Sequence, residues 1–194
     1  MKTNAKIIKL TSVELHELVK ACKKNDRQAQ KALYQRYAPL FLSMCHRYFR
    51  KNDEAEDAMI SAFFTIFKKI SSYSGEGSFE GWMKRIVINT CLMALRKKKI
   101  ESIPLENLPD HPERSPLAID RLLEKDILNL LDYLPDGYRT VFNLYVIEGY
   151  KHREIAEMLD VSINTSKSQL IQARKRLAEL IELNRQKDFG NGSS

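Results

Sequence analysis

The chain has no run of alternating apolar and polar residues of the kind a half-buried strand needs, and no internal repeat. Helix-spaced patterns are what remain, so the fold expected is all-α. Nowhere does an apolar run approach the roughly 20 residues of a membrane span, and no direct membrane insertion is expected. The first residues, MKTNAKIIKLT, are basic but lack an apolar stretch, so they are not expected to be a secretory signal. Cysteine is scarce. Cys22, Cys45 and Cys91 are odd in number and widely spaced, matching neither a zinc site nor a disulfide framework. Reduced thiols in a cytoplasm fit best. His16, His46, His111 and His152 do not stand at ligand spacing from the cysteines, so neither metal nor cofactor is expected. From Gly81 to Ile100 there is no acid at all. A nuclease would want carboxylates clustered near such a basic face, so an enzyme is not expected.

What is present is cationic charge in blocks. The 194 residues carry a net charge of +7, with 43% hydrophobic and 29% charged residues. That length allows one domain or two small ones, and the charge points to a polyanionic partner. Gly81–Ile100 holds six cations; Glu101–Asp136 holds nine acids against three cations; Ser162–Lys187 holds six cations against two acids. Two basic blocks separated by an acidic one suggest two nucleic-acid surfaces on one chain.

The stretch from Gly149 to Leu177 reads as two helices joined by a tight turn. Ile155, Ala156 and Leu159 give the first an apolar face. Asp160-Val161-Ser162 breaks the pattern, with Ser162 placed to cap the second helix and Val161 placed as its staple. Ile163, Ser166, Leu170, Ala173 and Leu177 then line one stripe at about 100° per residue. The other side carries Asn164, Lys167, Ser168, Ile171, Gln172, Lys175 and Arg176, small or cationic for the most part. This is a helix-turn-helix pattern, whose second helix can enter a major groove. Gln172 can bond a base edge bidentately, Ile171 can touch a thymine methyl, and Lys167 can take a guanine or a phosphate.

Taken in order, Met1–Leu10 is expected to be loose. A helix follows from Thr11-Ser12 through Cys22, and a wider apolar stripe from Gln28 to Arg50, where Pro39 should kink or restart the helix. Asn52 or Asp53 is placed to cap the next helix, whose core positions run from Ala55 to Ile70 without a miss. Phe64 falls off that stripe beside Asp57, Ser61 and Lys68, as a docking contact would. Ser71–Ser78 is a Gly-rich loop carrying Tyr73 and Ser74. Phe79–Ile100 follows, with Phe79, Trp82, Met83, Ile86, Val87, Thr90, Cys91, Ala94 and Leu95 expected inside. Lys84, Arg85, Asn89, Met93, Arg96 and Lys97 are expected outside. Cations beside a stacking face are what single-stranded DNA binding needs. Glu101–Ala118 contains four prolines and reads as a linker. Helical patterns resume near Ile119; Leu134–Gly137 reads as a turn, and Tyr138–Ile147 as a helix with Val141, Phe142 and Tyr145 inward. Residues 185–194, ending GNGSS, are expected to be disordered.

With these parts in this order, the chain resembles a sigma factor of the extracytoplasmic-function type, the form with only regions two and four. EAEDAMISAFFTIFKKI followed by FEGWMKRIVINTCLMALRK resembles region two, and LPDGYRTVFNLYVIEGYKHREIAEMLDVSINTSKSQLIQARKRL resembles region four. The resemblance implies two small helical domains, 11–100 and 119–184, with 101–118 between them. It implies that the helix of Glu54 to Ile70 docks on the clamp of RNA polymerase, with Asp57 and Phe64 the contacts. It implies that the loop Ser71–Ser78 and the helix from Trp82 to Lys99 read and melt the minus-ten element, and that Ile163–Glu182 reads the minus-thirty-five element. The partners implied are core polymerase, promoter duplex, its displaced strand, and an anti-sigma factor, often a membrane-bound one. One position departs from the pattern. The family often has Asp four residues after the region-two Asn, and here that place is Met93. The alternative is a helix-turn-helix repressor or activator that senses something with its N-terminal half, although that half offers basic residues rather than a ligand-pocket pattern.

Overall fold

A computed structural model describes residues 12–101 and 130–190. The loose N-terminus, the proline-rich linker, the helical run near Ile119 and the last four residues lie outside the described residues. Every regular element among the described residues is helical. The chain divides into two compact units, Met1–Ala94 and Leu95–Ser194.

The first unit is built from α1 (Ser12–Lys23), α2 (Arg27–His46), α3 (Asn52–Lys69), a 3-10 turn (Ile70–Ser72) and α4 (Phe79–Glu101) as far as Ala94. Asn25 takes a left-handed φ of 61° and so lets the chain reverse after α1. The Asp26 carboxylate then accepts from the free N–H groups of Gln28 and Ala29, starting α2. Pro39 does not restart α2, which is continuous to His46. Pro39 and Gln35, the residue whose carbonyl loses its partner, are both on the solvent side, where water can replace the missing bond. An aromatic ladder joins α2 to α3. The Phe41 ring stacks on Tyr37 at 5.6 Å and meets Phe63 at 5.4 Å, and Tyr34 meets Phe63 at 4.7 Å. Neither Asn52 nor Asp53 caps α3. The cap position is Lys51, which makes no side-chain bond, and Asp53 and Glu54 lie within the first turn, where they favour the helix dipole.

In α4, Phe79, Met83, Val87 and Cys91 are buried as expected, but Ile88 and Leu92 are buried too. The helix is covered on more than one side, which leaves only a narrow exposed strip. Trp82, expected inside, is half-buried. All three cysteines are buried free thiols, and the Cys45 and Cys91 sulfurs lie 3.6 Å apart. Burial and the nearby Asp26 push the Cys22 thiol up to about 11. The hydrogen bond to Cys45, then burial, push Cys91 upward as well. Neither Cys22 nor Cys91 is activated for chemistry.

The second unit comprises α5 (Asp136–Phe142), a π-helical segment (Asn143–Ile147), α6 (His152–Leu159) and α7 (Ile163–Gly190). Asp136 and Gly137, expected in a turn, instead form the first turn of α5 behind Pro135. Arg139 is buried, and its charge is matched by Asp136 at 2.8 Å and Asp132 at 3.8 Å. The π segment accounts for Tyr145, which was expected inward and is 36% exposed. Its wider turn shifts the side-chain phase away from the 3.6-residue period. The core is Leu131, Leu134, Val141, Leu144 and Ile155 against Leu170, Ala173 and Leu177 of α7. That helix also continues past Arg185, where a disordered tail was expected, to Gly190.

Candidate nucleic-acid interface

In the second unit α6 and α7 are held as a helix-turn-helix by four local devices. The Glu154 carboxylate accepts from the Lys151 N–H at 2.7 Å, fixing the start of α6. Asp160 ends α6 in the left-handed conformation, φ 55°, and the Val161 N–H closes onto the Ala156 carbonyl. The Ser162 hydroxyl accepts from the Thr165 N–H at 2.9 Å, so Ser162 caps α7 as its position suggests. Ser166 has no exposed surface, and it shares a hydrogen bond of 2.9 Å with Nδ1 of His152. A buried hydroxyl on an otherwise apolar stripe is thereby satisfied. The His152 ring stacks on Tyr145 at 4.5 Å, and the Arg174 guanidinium stands 6.0 Å from the Tyr145 centroid.

Asn164, Lys167, Ser168, Ile171, Gln172, Lys175 and Arg176 all lie exposed on the outer side of α7. Ile171, at 63%, is apolar surface left uncovered by the described residues. Arg176 is paired with Glu179 at 3.1 Å. Ile163, expected in the buried stripe, is 43% exposed. It is the first residue of α7, and helical side chains lean toward the N-terminus, so it leans past the end of its own helix.

In the first unit, Asp57, Ser61, Phe64 and Lys68 are exposed on α3 at steps of three or four residues, which places them on one face. Phe64 is 71% exposed. Ile60, which the sequence reading passed over, is 56% exposed and four residues before Phe64, so it extends that apolar patch. Its signal in the sequence was the same as that of Phe64: a large apolar residue out of phase with the buried stripe.

The loop after α3 is closed on itself. The Tyr73 hydroxyl donates to the Gly77 carbonyl at 2.8 Å, and the Glu76 N–H donates to Ser74 Oγ at 3.2 Å. Gly75 and Gly77 have φ of 91° and 73°; a Cβ there would meet nothing within 4 Å, so backbone conformation alone selects glycine. The Tyr73 ring meets Phe79 edge-on at 5.1 Å and Trp82 at 5.5 Å. Arg85, Asn89, Met93, Arg96 and Lys97 are exposed along α4, with Met93 at 69%. Lys84 is half-buried and paired with Glu80 at 2.8 Å, so its charge is already matched within the helix. Among the described residues no group of three or more metal-ligating side chains comes together, and no helix is long and apolar enough to cross a membrane.

Comparison with known proteins places the two units in one class. Residues 33–100 match the model for sigma-70 region 2, and residues 124–177 match the model for sigma-70 region 4. The chain belongs to the sigma-70 family and is a sigma factor of the extracytoplasmic-function type. It is 27% identical over 180 residues to the ECF RNA polymerase sigma-E factor of Haemophilus influenzae, covering 85% of this chain and 94% of that one. It is 29% identical over 157 residues to the ECF RNA polymerase sigma factor SigE of Mycolicibacterium smegmatis, covering 77% of this chain and 60% of that one. Among solved structures, the sigma factor RpoE from Bartonella quintana, in complex with the anti-sigma factor NepR, has a similar fold. Its TM-score is 0.51 at 23% identity, over 79% of this chain and 97% of that one.

The environment of His152 sets a pH dependence. Burial, and then the charges of Lys167 and Arg174, lower its pKa from the usual value. As pH falls, the unfolded chain takes up this proton first, so the folded second unit loses stability as pH drops through about 6.5. The thermal midpoint should therefore fall between about pH 7.5 and 5.5, and His152→Gln should flatten that part of the fall. Calorimetry across the range checks both outcomes, and equal slopes for the two proteins would remove His152 as the source.

Proposed function

We infer that the chain is a sigma factor that directs core RNA polymerase to specific promoters and starts transcription there. The observation that carries this reading is the presence, on one chain, of both a region-two and a region-four domain. A repressor or activator needs only the second. Two spaced DNA contacts define both the position and the direction of a start site, which a single helix-turn-helix does not.

In this reading 11–100 binds core polymerase and opens the minus-ten element, 101–118 links the domains, and 119–184 reads the minus-thirty-five element. Duplex reading falls to Asn164, Lys167, Ser168, Ile171 and Gln172, with Lys175 and Arg176 on phosphates. Opening falls to Tyr73, Ser74, Asn89 and the cations Lys84, Arg85, Arg96 and Lys97. Melting needs cations to hold the displaced strand and a rim to hold an unstacked base. Docking on the polymerase clamp falls to Asp57, Ser61, Phe64 and Lys68, with Ile60 added by its exposure beside Phe64. The protein supplies recognition and no catalysis of its own, and it works in the cytoplasm. An anti-sigma factor holds it until a signal arrives, as NepR is bound to RpoE in the similar structure.

The test of the function is run-off transcription with core polymerase and fragments of the source genome. Adding the protein should produce discrete transcripts that core polymerase alone does not make. Transcription equally specific without it would remove the reading, and DNA binding without polymerase binding would favour a repressor or activator.

The docking face gives a second expectation. Asp57→Ala with Phe64→Ala should weaken binding to core polymerase while helicity and the melting temperature stay nearly unchanged, because neither side chain is in the core. Normal binding by the double variant would place docking elsewhere.

The reading helix gives a third. Gln172→Ala should cost about 1–3 kcal/mol at one base pair and relax the preference there. Lys175→Ala should instead weaken all sequences alike and reduce the salt slope by about one. Binding measured on a panel of single-base variants separates the two, and a uniform loss for Gln172→Ala would lay the helix across the backbone.

A further inference from the structure

Lys23 is the last residue of α1 and precedes the stretch that the region 2 model matches. Nothing in the sequence singles it out. In the structure its ammonium donates to the main-chain carbonyl of Tyr73, fifty residues further on, at 2.7 Å. The same nitrogen stands 5.8 Å from the centroid of the Tyr73 ring. The bond is partly buried, and a charge-assisted bond of this kind is stronger where water is partly excluded.

The loop 73–78 is thus held from two sides. Phe79 and Trp82 of α4 meet the Tyr73 ring, while Lys23 of α1 holds its carbonyl. With the hydroxyl bonded to Gly77, the carbonyl, ring and hydroxyl of Tyr73 each have a fixed neighbour. The rim residues Ser74, Gly75 and Glu76 remain exposed above that base. Two glycines with positive φ make the free loop costly to order, since glycine loses more conformational freedom than any other residue. A tie that orders the loop before DNA arrives removes that cost from the opening step.

We propose that Lys23 is a positioning residue for strand opening: through the Tyr73 carbonyl it holds the 73–78 loop in its closed form, so that a base leaving the duplex meets a rim already formed. This rests on the reading of the first unit as the part that opens the minus-ten element. Lys23 touches no DNA in this scheme. Arginine can make the same bond and the same ring contact, whereas methionine matches the length of lysine and can make neither.

The experiment uses the full chain with core polymerase on a promoter fragment found by run-off transcription. Permanganate reactivity of unpaired thymines reads opening, and protection of the upstream element reads duplex binding. Lys23→Arg should open within about twofold of the wild type, and Lys23→Met should open about tenfold less, the factor that one charge-assisted bond sets. Upstream protection should not move, and the thermal midpoint should fall by no more than the few degrees that one lost bond costs. On a template whose minus-ten strands are mismatched and already apart, the Lys23→Met deficit should shrink to within about twofold, because the ordering step no longer limits opening. Wild-type opening by Lys23→Met overturns the proposal. So does a deficit that persists on the mismatched template or comes with lost upstream protection, either of which marks a structural role. If the wild-type protein gives neither specific starts nor unpaired thymines, the reading of the first unit fails and takes this proposal with it.

Discussion

Ser166 lies on the buried stripe of α7 with its hydroxyl bonded to His152, and the orientation of the reading helix follows from that bond. Leu170, Ala173 and Leu177 could slide or rotate slightly against their apolar neighbours at small cost. A buried hydroxyl loses heavily if it is parted from its partner. The bond therefore fixes the rotation of α7 about its axis, and with it the outward direction of Lys167, Ser168, Ile171 and Gln172. Ser162 fixes the other variable, the residue at which the helix begins. A one-residue slip at that cap would turn every outward side chain by about 100°.

The first unit meets a similar requirement by other means. Its exposed apolar residues, Ile60 and Phe64, stand on a helix whose opposite side is locked to α2 by the Phe41, Phe63 and Tyr34 rings. Large apolar groups can be left in water only because the helix has enough of them inside to fold without these two. The loop beside α4 has few apolar side chains with which to pack. It is ordered by hydrogen bonds to its own backbone and by the Lys23 ammonium.

Much of this was legible in the sequence because a helix buried on one side repeats with a known period. The α3 stripe, the Ser162 cap and the outer face of α7 could all be read that way. The failures have separate causes. Ile88 and Leu92 were missed because α4 is covered on more than one side and a single-stripe template admits only one. Tyr145 was misplaced because a π segment has a different period, and nothing in NLYVI announces it. Pro39 and Asn52 carry strong local signals that tertiary context overrode: the proline faces water, and the asparagine sits one residue inside the helix it was expected to cap. Lys23 was invisible, since its partner is a carbonyl group fifty residues away and main-chain atoms have no signature in the sequence.

The three thiols give the molecule a property that has nothing to do with DNA. Each is buried, and the thiols of Cys22 and Cys91 are pushed away from ionisation, so a thiol reagent meets no exposed group while the first unit is intact. Cys22 belongs to α1, Cys45 to α2 and Cys91 to α4. Their modification therefore waits on the parting of those helices, and each cysteine acts as a clock for the opening of its own part of the bundle. A partner that grips the unit would slow all three clocks together, whereas one that pries off α1 would start the Cys22 clock alone.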